Sequence, residues 1–234
     1  MKKKSSVILV ICLLGILLFE PTLYAGKVID KSSEGYLLYL PNTVLSGGGS
    51  SVLVCLAGWG VKVEDDINVW KFPAEKNNFL LILPQLNHPN IRTSKDHLQV
   101  ESFIFSIVDK VLEQYPVDEG RIFIAGTSAG GMMAIDLALK YPDIFSGIGV
   151  ICGARLTRSN GFELGRFLKN AKEQKFYIIH GENDKIISLK EAKKTRDKLE
   201  RYKAEVKFEI IEGGAHTLPS LVYNKIANWF NSLK

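Results

Sequence analysis

A chain of 234 residues with 46% hydrophobic and 24% charged side chains has the length of one domain with one substantial core, and its three cysteines are too few for a disulfide scaffold. The formal net charge of +5 does not announce a polyanion partner: the densest basic stretch, Lys185 to Lys207, is interleaved with Glu191, Asp197, Glu200 and Glu205, as on the solvated face of an amphipathic helix. Nucleic-acid binding is therefore not expected.

At the N-terminus Lys2, Lys3 and Lys4 precede an uncharged run from Val7 to Phe19, and Leu23-Tyr24-Ala25-Gly26 follows. A basic start, a short apolar middle and a small-residue exit are the order of an export signal. As a helix that middle rises only about 20 Å against a hydrocarbon core of roughly 30 Å, which disfavours a stable membrane span. We expect residues 1–25 to be an export signal peptide, residues 26–234 to form a single domain, and the mature protein to be secreted or periplasmic. An uncleaved signal anchor is the rival reading, because Leu23 is larger than the residue usual three places before a cut. Cys12 lies inside the apolar run after Val10 and Ile11, without the small residues that lipid attachment requires.

Beyond the signal, short β-rich apolar runs alternate with helical patterns, the rhythm of a mostly parallel sheet covered on both faces. The predicted strands are Tyr36 to Leu40, Ser51 to Leu56, Phe79 to Leu83, Arg121 to Ala125, Ser146 to Cys152, Phe176 to His180 and Val206 to Ile210. Between them Leu98 to Gln114 carries Val100, Phe103, Ile104, Ile107, Val108, Val111 and Leu112 at helical spacing. Met132 to Lys140, Leu189 to Tyr202 and Leu221 to Phe230 are the other expected helices. Ser46 to Ser50, rich in glycine, reads as a loop or hairpin between strands. No repeat or compositional break divides the chain after residue 25.

The most informative segment is Arg121 to Met133, where an apolar strand runs into Gly126-Thr127-Ser128-Ala129-Gly130 and then a helix. Strand before and helix after turn a common G-x-S-x-G pentapeptide into a candidate nucleophile elbow, a tight turn that exposes the Ser128 hydroxyl. The Ala129 amide then opens a helix and faces the place where an oxyanion would form. A dinucleotide or phosphate loop is excluded, since there is no G-x-G-x-x-G and no lysine after Gly130 or Gly131.

A serine hydroxyl needs a base, and the base needs an orienting acid. Of the four histidines, His88 and His97 precede Ser128, the wrong order for such a fold, and His180 ends a strand, where a core role is expected. His216 sits in a glycine-opened loop, Glu212 to Pro219, after the last strand. Asp184, just after the strand ending at His180, falls between serine and histidine in the required order, with Glu182 its nearest competitor. The loop Ala57-Gly58-Trp59-Gly60 after an earlier strand offers the amide of Trp59 as a second oxyanion donor, its side chain being either a pocket wall or ordinary core. Cys55 and Cys152 lie in apolar runs and read as small buried hydrophobes. No cofactor and no metal site is expected.

These segments together resemble the small secreted esterases of the α/β-hydrolase fold that include feruloyl esterases, acetyl xylan esterases and polyhydroxyalkanoate depolymerases. The likeness runs from about Gly35 to the C-terminus and is carried by Tyr36 to Pro41, Leu56 to Gly60, Arg121 to Cys152 with Tyr141-Pro142-Asp143-Ile144-Phe145, and Gly213 to Pro219. It implies an α/β-hydrolase domain without a large lid and a serine esterase that acts through an acyl-enzyme. Ser128, His216 and Asp184 would be its triad, the amides of Trp59 and Ala129 its oxyanion donors, and a small-molecule or polymer ester its substrate. A serine peptidase, a thioesterase or a non-catalytic protein on the same scaffold are the alternatives. Two departures stand out: Ala57-Gly58 replaces the usual histidine-glycine, and Leu218 replaces a tryptophan before proline.

The export reading has a direct check: N-terminal sequencing of protein recovered outside the cytoplasm should begin near Gly26, and a mature cytoplasmic protein beginning at Met1 would refute it.

Overall fold

A computed structural model describes residues 26–88, 94–156 and 167–233; the expected signal, residues 1–25, lies outside them. The strands are β1 Lys27–Lys31, β2 Tyr36–Leu40, β3 Ser50–Leu56, β4 Phe79–Pro84, β5 Val117–Thr127, β6 Gly147–Ile151, β7 Lys175–Gly181 and β8 Glu205–Ile211. They form one sheet in the order β1-β2-β4-β3-β5-β6-β7-β8. β1 and β2 run antiparallel to their neighbours, and β4, β3 and β5 to β8 are parallel. The helices are α1 Asn42–Leu45, α2 Val63–Asn77, α3 Ser94–Gln114, α4 Ala129–Lys140, α5 Leu189–Arg201 and α6 Leu221–Ser232. This is the α/β-hydrolase architecture, a largely parallel sheet flanked by helices, and among the described residues no large insertion covers it.

The layers follow from the two-residue period of the strands. Val52, Val54, Leu56, Leu80 and Ile82 face a layer made by Ile104, Ile107, Val108 and Val111 of α3, Met133 and Leu137 of α4, and Leu199 of α5. The alternate residues Leu53, Cys55, Leu81, Phe123 and Ala125 face Ile67, Trp70 and Ala74 of α2 and Val222, Ile226 and Phe230 of α6. Phe230 lies stacked on Phe123, with ring centroids 4.8 Å apart, which locks the last helix against the central strand. Because β3 and β5 to β8 are parallel, their ends Leu56, Thr127, Ile151, Gly181 and Ile211 share one edge, where loops from distant parts of the chain converge.

β1, the one-turn helix α1 and α2 go beyond the sequence expectations. β1, Lys-Val-Ile-Asp-Lys, is largely exposed, and its charges suit an edge strand while hiding it from a search for apolar runs. α2 carries Pro73 in its interior and an acidic first turn, both of which mask the buried stripe Val63, Ile67, Trp70 and Ala74.

Asp66 lies on that buried stripe, and burial pushes its carboxyl up to about 6. Between the unfolded value near 4 and this folded value, the native protein holds more protons than the unfolded chain, so this group lowers stability as pH rises through the window. Asp66→Asn should therefore gain stability over the wild type above pH ~6, on the order of 2 kcal/mol, and gain little at pH ~4. Urea denaturation at the two pH values checks this; an equal difference at both would contradict it.

Candidate active site

β5 is central and ends at Thr127, and Ser128 follows with φ 53° and ψ −117°, a left-handed conformation that is costly for a side-chain-bearing residue. The chain can turn this tightly because its flanking glycines have no Cβ: one at Gly126 would fall 2.3 Å from the Gly130 carbonyl carbon, and one at Gly130 would fall 2.0 Å from the Leu56 carbonyl oxygen. The turn is held by the Ser128 amide donating to Ile151 O at 2.9 Å and by the Met132 amide donating back to Ser128 O at 3.1 Å. Ala129 is the first residue of α4, so its amide is among those a helix N-terminus leaves without an internal acceptor.

His216 arrives five residues after β8 and Asp184 three after β7. His216 Nε2 is 2.8 Å from Ser128 Oγ, and His216 Nδ1 is 2.8 Å from Asp184 Oδ2. A carboxylate only accepts, so Nδ1 carries the proton and Nε2 faces the hydroxyl as an acceptor. Asp184 is buried, and its other oxygen accepts from the amides of Ile186 at 2.8 Å and Ile187 at 3.0 Å. Burial alone would raise this carboxyl; the hydrogen bonds from His216 and from the Ile187 and Ile186 amides outweigh it and hold the group below its usual value.

The two loops are also tied to each other. Glu182 accepts from the Gly213 amide at 2.9 Å, and the Asn183 amide donates to Gly214 O at 2.7 Å. Glu182, the rival acid, thus braces the histidine loop. At the far end of the Asp184 loop, Ser188 and Glu191 close a capping box on α5. The loop after β3 lies against the elbow: a Cβ on Gly58 would sit 3.2 Å from Thr127 O and 3.5 Å from Ser128 Cβ. Trp59 beside it is 65% exposed, which excludes the core role left open for its side chain. His97 is buried on α3, where the charge of Glu101 acts on it.

The sequence reading of a serine esterase with one nucleophile, one base and one acid needs correcting at Cys152 and His180, which were counted as ordinary core. A sulfur, a ring nitrogen and a carboxylate oxygen from Cys152, His180 and Asp184 lie within 4.8 Å of one another. The buried acid is thus shared by two histidines, and the site holds a second set of nucleophile, base and acid residue types. Residue types in the right order do not by themselves name the nucleophile; the surroundings of each candidate must. His180 Nε2 is 2.8 Å from Ile187 O and 3.4 Å from Asp184 Oδ2. The carbonyl demands that this nitrogen carry the proton, which directs it to the loop backbone. Cys152 follows β6 and is 0% exposed, and burial pushes its thiol up to about 11, a protonated and weakly nucleophilic state. The elbow between strand and helix belongs to Ser128, which is half-buried.

The same three side chains are a group that could hold a metal ion among the described residues, and thiolate, imidazole and carboxylate form a donor set of the zinc type. Loading it would require deprotonating the buried thiol and would compete with the hydrogen bonds that Asp184 already accepts.

Residues 88–233 match the Phospholipase/Carboxylesterase family. Among curated proteins, the chain is 25% identical over 171 residues to a probable acetylxylan esterase A of Aspergillus clavatus, covering 70% of this chain and 53% of that protein. It is 26% identical over 174 residues to feruloyl esterase B of Thermothelomyces thermophilus, covering 58% and 60%. The chain therefore spans little more than half the length of these relatives. In fold it is similar to an S-formylglutathione hydrolase from Agrobacterium tumefaciens, with a TM-score of 0.74 at 14% identity over 91% of this chain and 97% of that one. It is also similar to a ferulic acid esterase from Anaeromyces mucronatus, with a TM-score of 0.66 at 15% identity over 89% and 90%. Among the described residues no helix is long and apolar enough to cross a membrane. With more than half of the chain matched, on the fold and site just described, the protein belongs to the Phospholipase/Carboxylesterase family of α/β-hydrolases.

Proposed function

We propose that the protein is an acyl hydrolase of carboxylic esters in which His216 activates the hydroxyl at the elbow. The observation that carries this reading is the continuous pair of 2.8 Å contacts from Ser128 through His216 to Asp184. Ser128 Oγ attacks the ester carbonyl while His216 Nε2 takes its proton, and the Asp184 carboxylate stabilises the imidazolium that forms. The carbonyl oxygen becomes an oxyanion facing the Ala129 amide and the backbone of the loop through Gly58 and Trp59. Collapse expels the alcohol, which leaves with the proton from His216, and a water molecule activated by the same nitrogen releases the acid.

Substrates of the acetyl, feruloyl or polyester kind are the finer part of the proposal, supported by the names of the acetylxylan esterase, feruloyl esterase and poly(3-hydroxybutyrate) depolymerase relatives. Trp59 at 65% and Ile186 at 66% exposure, with Val61, lie on loops at the edge of the sheet where Ser128 stands and offer apolar contact to such a group. We also propose that residues 1–25 direct export, on the strength of the Lys2 to Gly26 pattern.

A second reading has one observation in its favour, the proximity of Cys152, His180 and Asp184, and would make the thiol the nucleophile. One panel separates the two. Ser128→Ala should lower kcat/KM by ~1,000-fold or more, and a fluorophosphonate should label the wild type within the peptide containing Ser128. Cys152→Ala should fall by less than about tenfold, through its contact with Asp184, and iodoacetamide should leave the native enzyme active. Loss of turnover in Cys152→Ala with full turnover in Ser128→Ala would reverse the assignment.

The substrate proposal is checked on purified protein with acetylated xylan, a feruloyl ester and a poly(3-hydroxybutyrate) film. Turnover of at least one is expected; activity on soluble short-chain thioesters alone would overturn it.

A further inference from the structure

The loop after β3 presents its backbone to the nucleophile yet does little to hold itself in place. Trp59 and Val61 are both exposed, so neither anchors the loop by burial. Gly60 has φ 75°, and Gly58 lacks a side chain because Thr127 O and Ser128 Cβ leave little room for one. A turn with two glycines and two exposed side chains has many accessible conformations in isolation. Oxyanion stabilisation depends on donors already aimed before charge develops. Some contact from outside the loop has to restrict it.

That contact comes from the segment after β4. His88 is half-buried, and its Nε2 lies 2.9 Å from Ala57 O. A carbonyl oxygen only accepts, so Nε2 carries the proton and donates. The Ala57 carbonyl and the Gly58 N–H belong to one planar trans peptide and point in opposite directions, so fixing the carbonyl fixes the amide. The Val61 amide closes the turn on Gly58 O at 3.2 Å, which carries the constraint from Gly58 across Trp59. Burial lowers the His88 pKa, which favours the neutral ring, and the donating nitrogen is the same in both protonation states.

We propose that His88 is a positioning residue for catalysis: by donating to Ala57 O it aims the amides of Gly58 and Trp59 at the oxygen of the tetrahedral intermediate. The inference rests on the acyl-hydrolase reading and assigns a role to a histidine that chain order had set aside as a base. It also accounts for the bracing of a loop in which Ala57 stands before Gly58.

Three variants test it. His88→Phe keeps volume and removes the donor, His88→Ala removes both, and His88→Gln retains an amide N–H at similar reach. Below the melting temperature of each variant, His88→Phe and His88→Ala should lose about tenfold or more in kcat with KM within about twofold, a part of the 100- to 1,000-fold typical for one oxyanion donor. Affinity for a trifluoromethyl ketone of matching acyl group, which forms an oxyanion at the same place, should fall by the same factor, and His88→Gln should recover most of both losses. A purely structural role would lower the melting temperature without moving kcat and inhibitor affinity together. Full kcat in folded His88→Phe, or an effect on KM alone, overturns the proposal while leaving the acyl-hydrolase reading intact if Ser128→Ala is inactive. Undiminished turnover in Ser128→Ala would instead remove the catalytic reading on which it rests.

Discussion

The site is organised around one buried carboxylate. Asp184 is charged in a place with little access to water, which is tolerable only because both of its oxygens are engaged. One oxygen accepts two amides of its own loop, and the other meets His216 with His180 nearby. Hydrogen bonds to a charged group contribute about 1.5–3 kcal/mol each, so the loop after β7, the tautomer of His216 and the orientation of its ring are fixed together. His180 extends the arrangement backwards by donating to Ile187 O, which braces the same loop from the strand side. Loss of the carboxylate would free all of these groups at once.

The elbow is the second constraint, and it is steric. A non-glycine residue in a left-handed or otherwise sparsely populated conformation costs on the order of 1–3 kcal/mol, and Ser128 persists there because its neighbours permit no alternative. Leu56 O occupies the space beside Gly130, and Ile151 O receives the Ser128 amide. The strained residue is therefore clamped between β3 and β6, the two neighbours of β5 in the sheet. Strain is located where two buried strands hold the backbone, and the hydroxyl is the part that remains accessible.

Burial distinguishes the two candidate nucleophiles near Asp184: Cys152 is fully buried and Ser128 half-buried. A thiol is intrinsically the better nucleophile only as a thiolate, and the Cys152 site disfavours that state by burial and by the nearby charge of Asp184. A serine hydroxyl has no such requirement where a base touches it, and His216 Nε2 lies 2.8 Å from Ser128 Oγ.

Much of this was legible in the sequence because it depends on short, local patterns. The alternation of apolar runs and helical stripes sets the layers, and Gly126 to Gly130 between strand and helix marks the elbow, since only such residues fit a turn that tight. Chain order singled out Asp184 and His216, as parallel strands deliver successive loops to one edge. β1 and α2 escaped notice because their charges and Pro73 interrupt the periodicities that reveal buried faces. The contacts of Cys152, His180 and His88 were beyond local reading. Cys152 and His88 each meet a residue of another loop, Asp184 and Ala57, and pairing across a sheet edge is set by register and packing, which no spacing along the chain records; His180 meets Asp184 four residues on through the turn that follows β7. Local chemistry was written in the residues; which groups share an acid, and which histidine holds a carbonyl, was decided only when the strands brought their ends together.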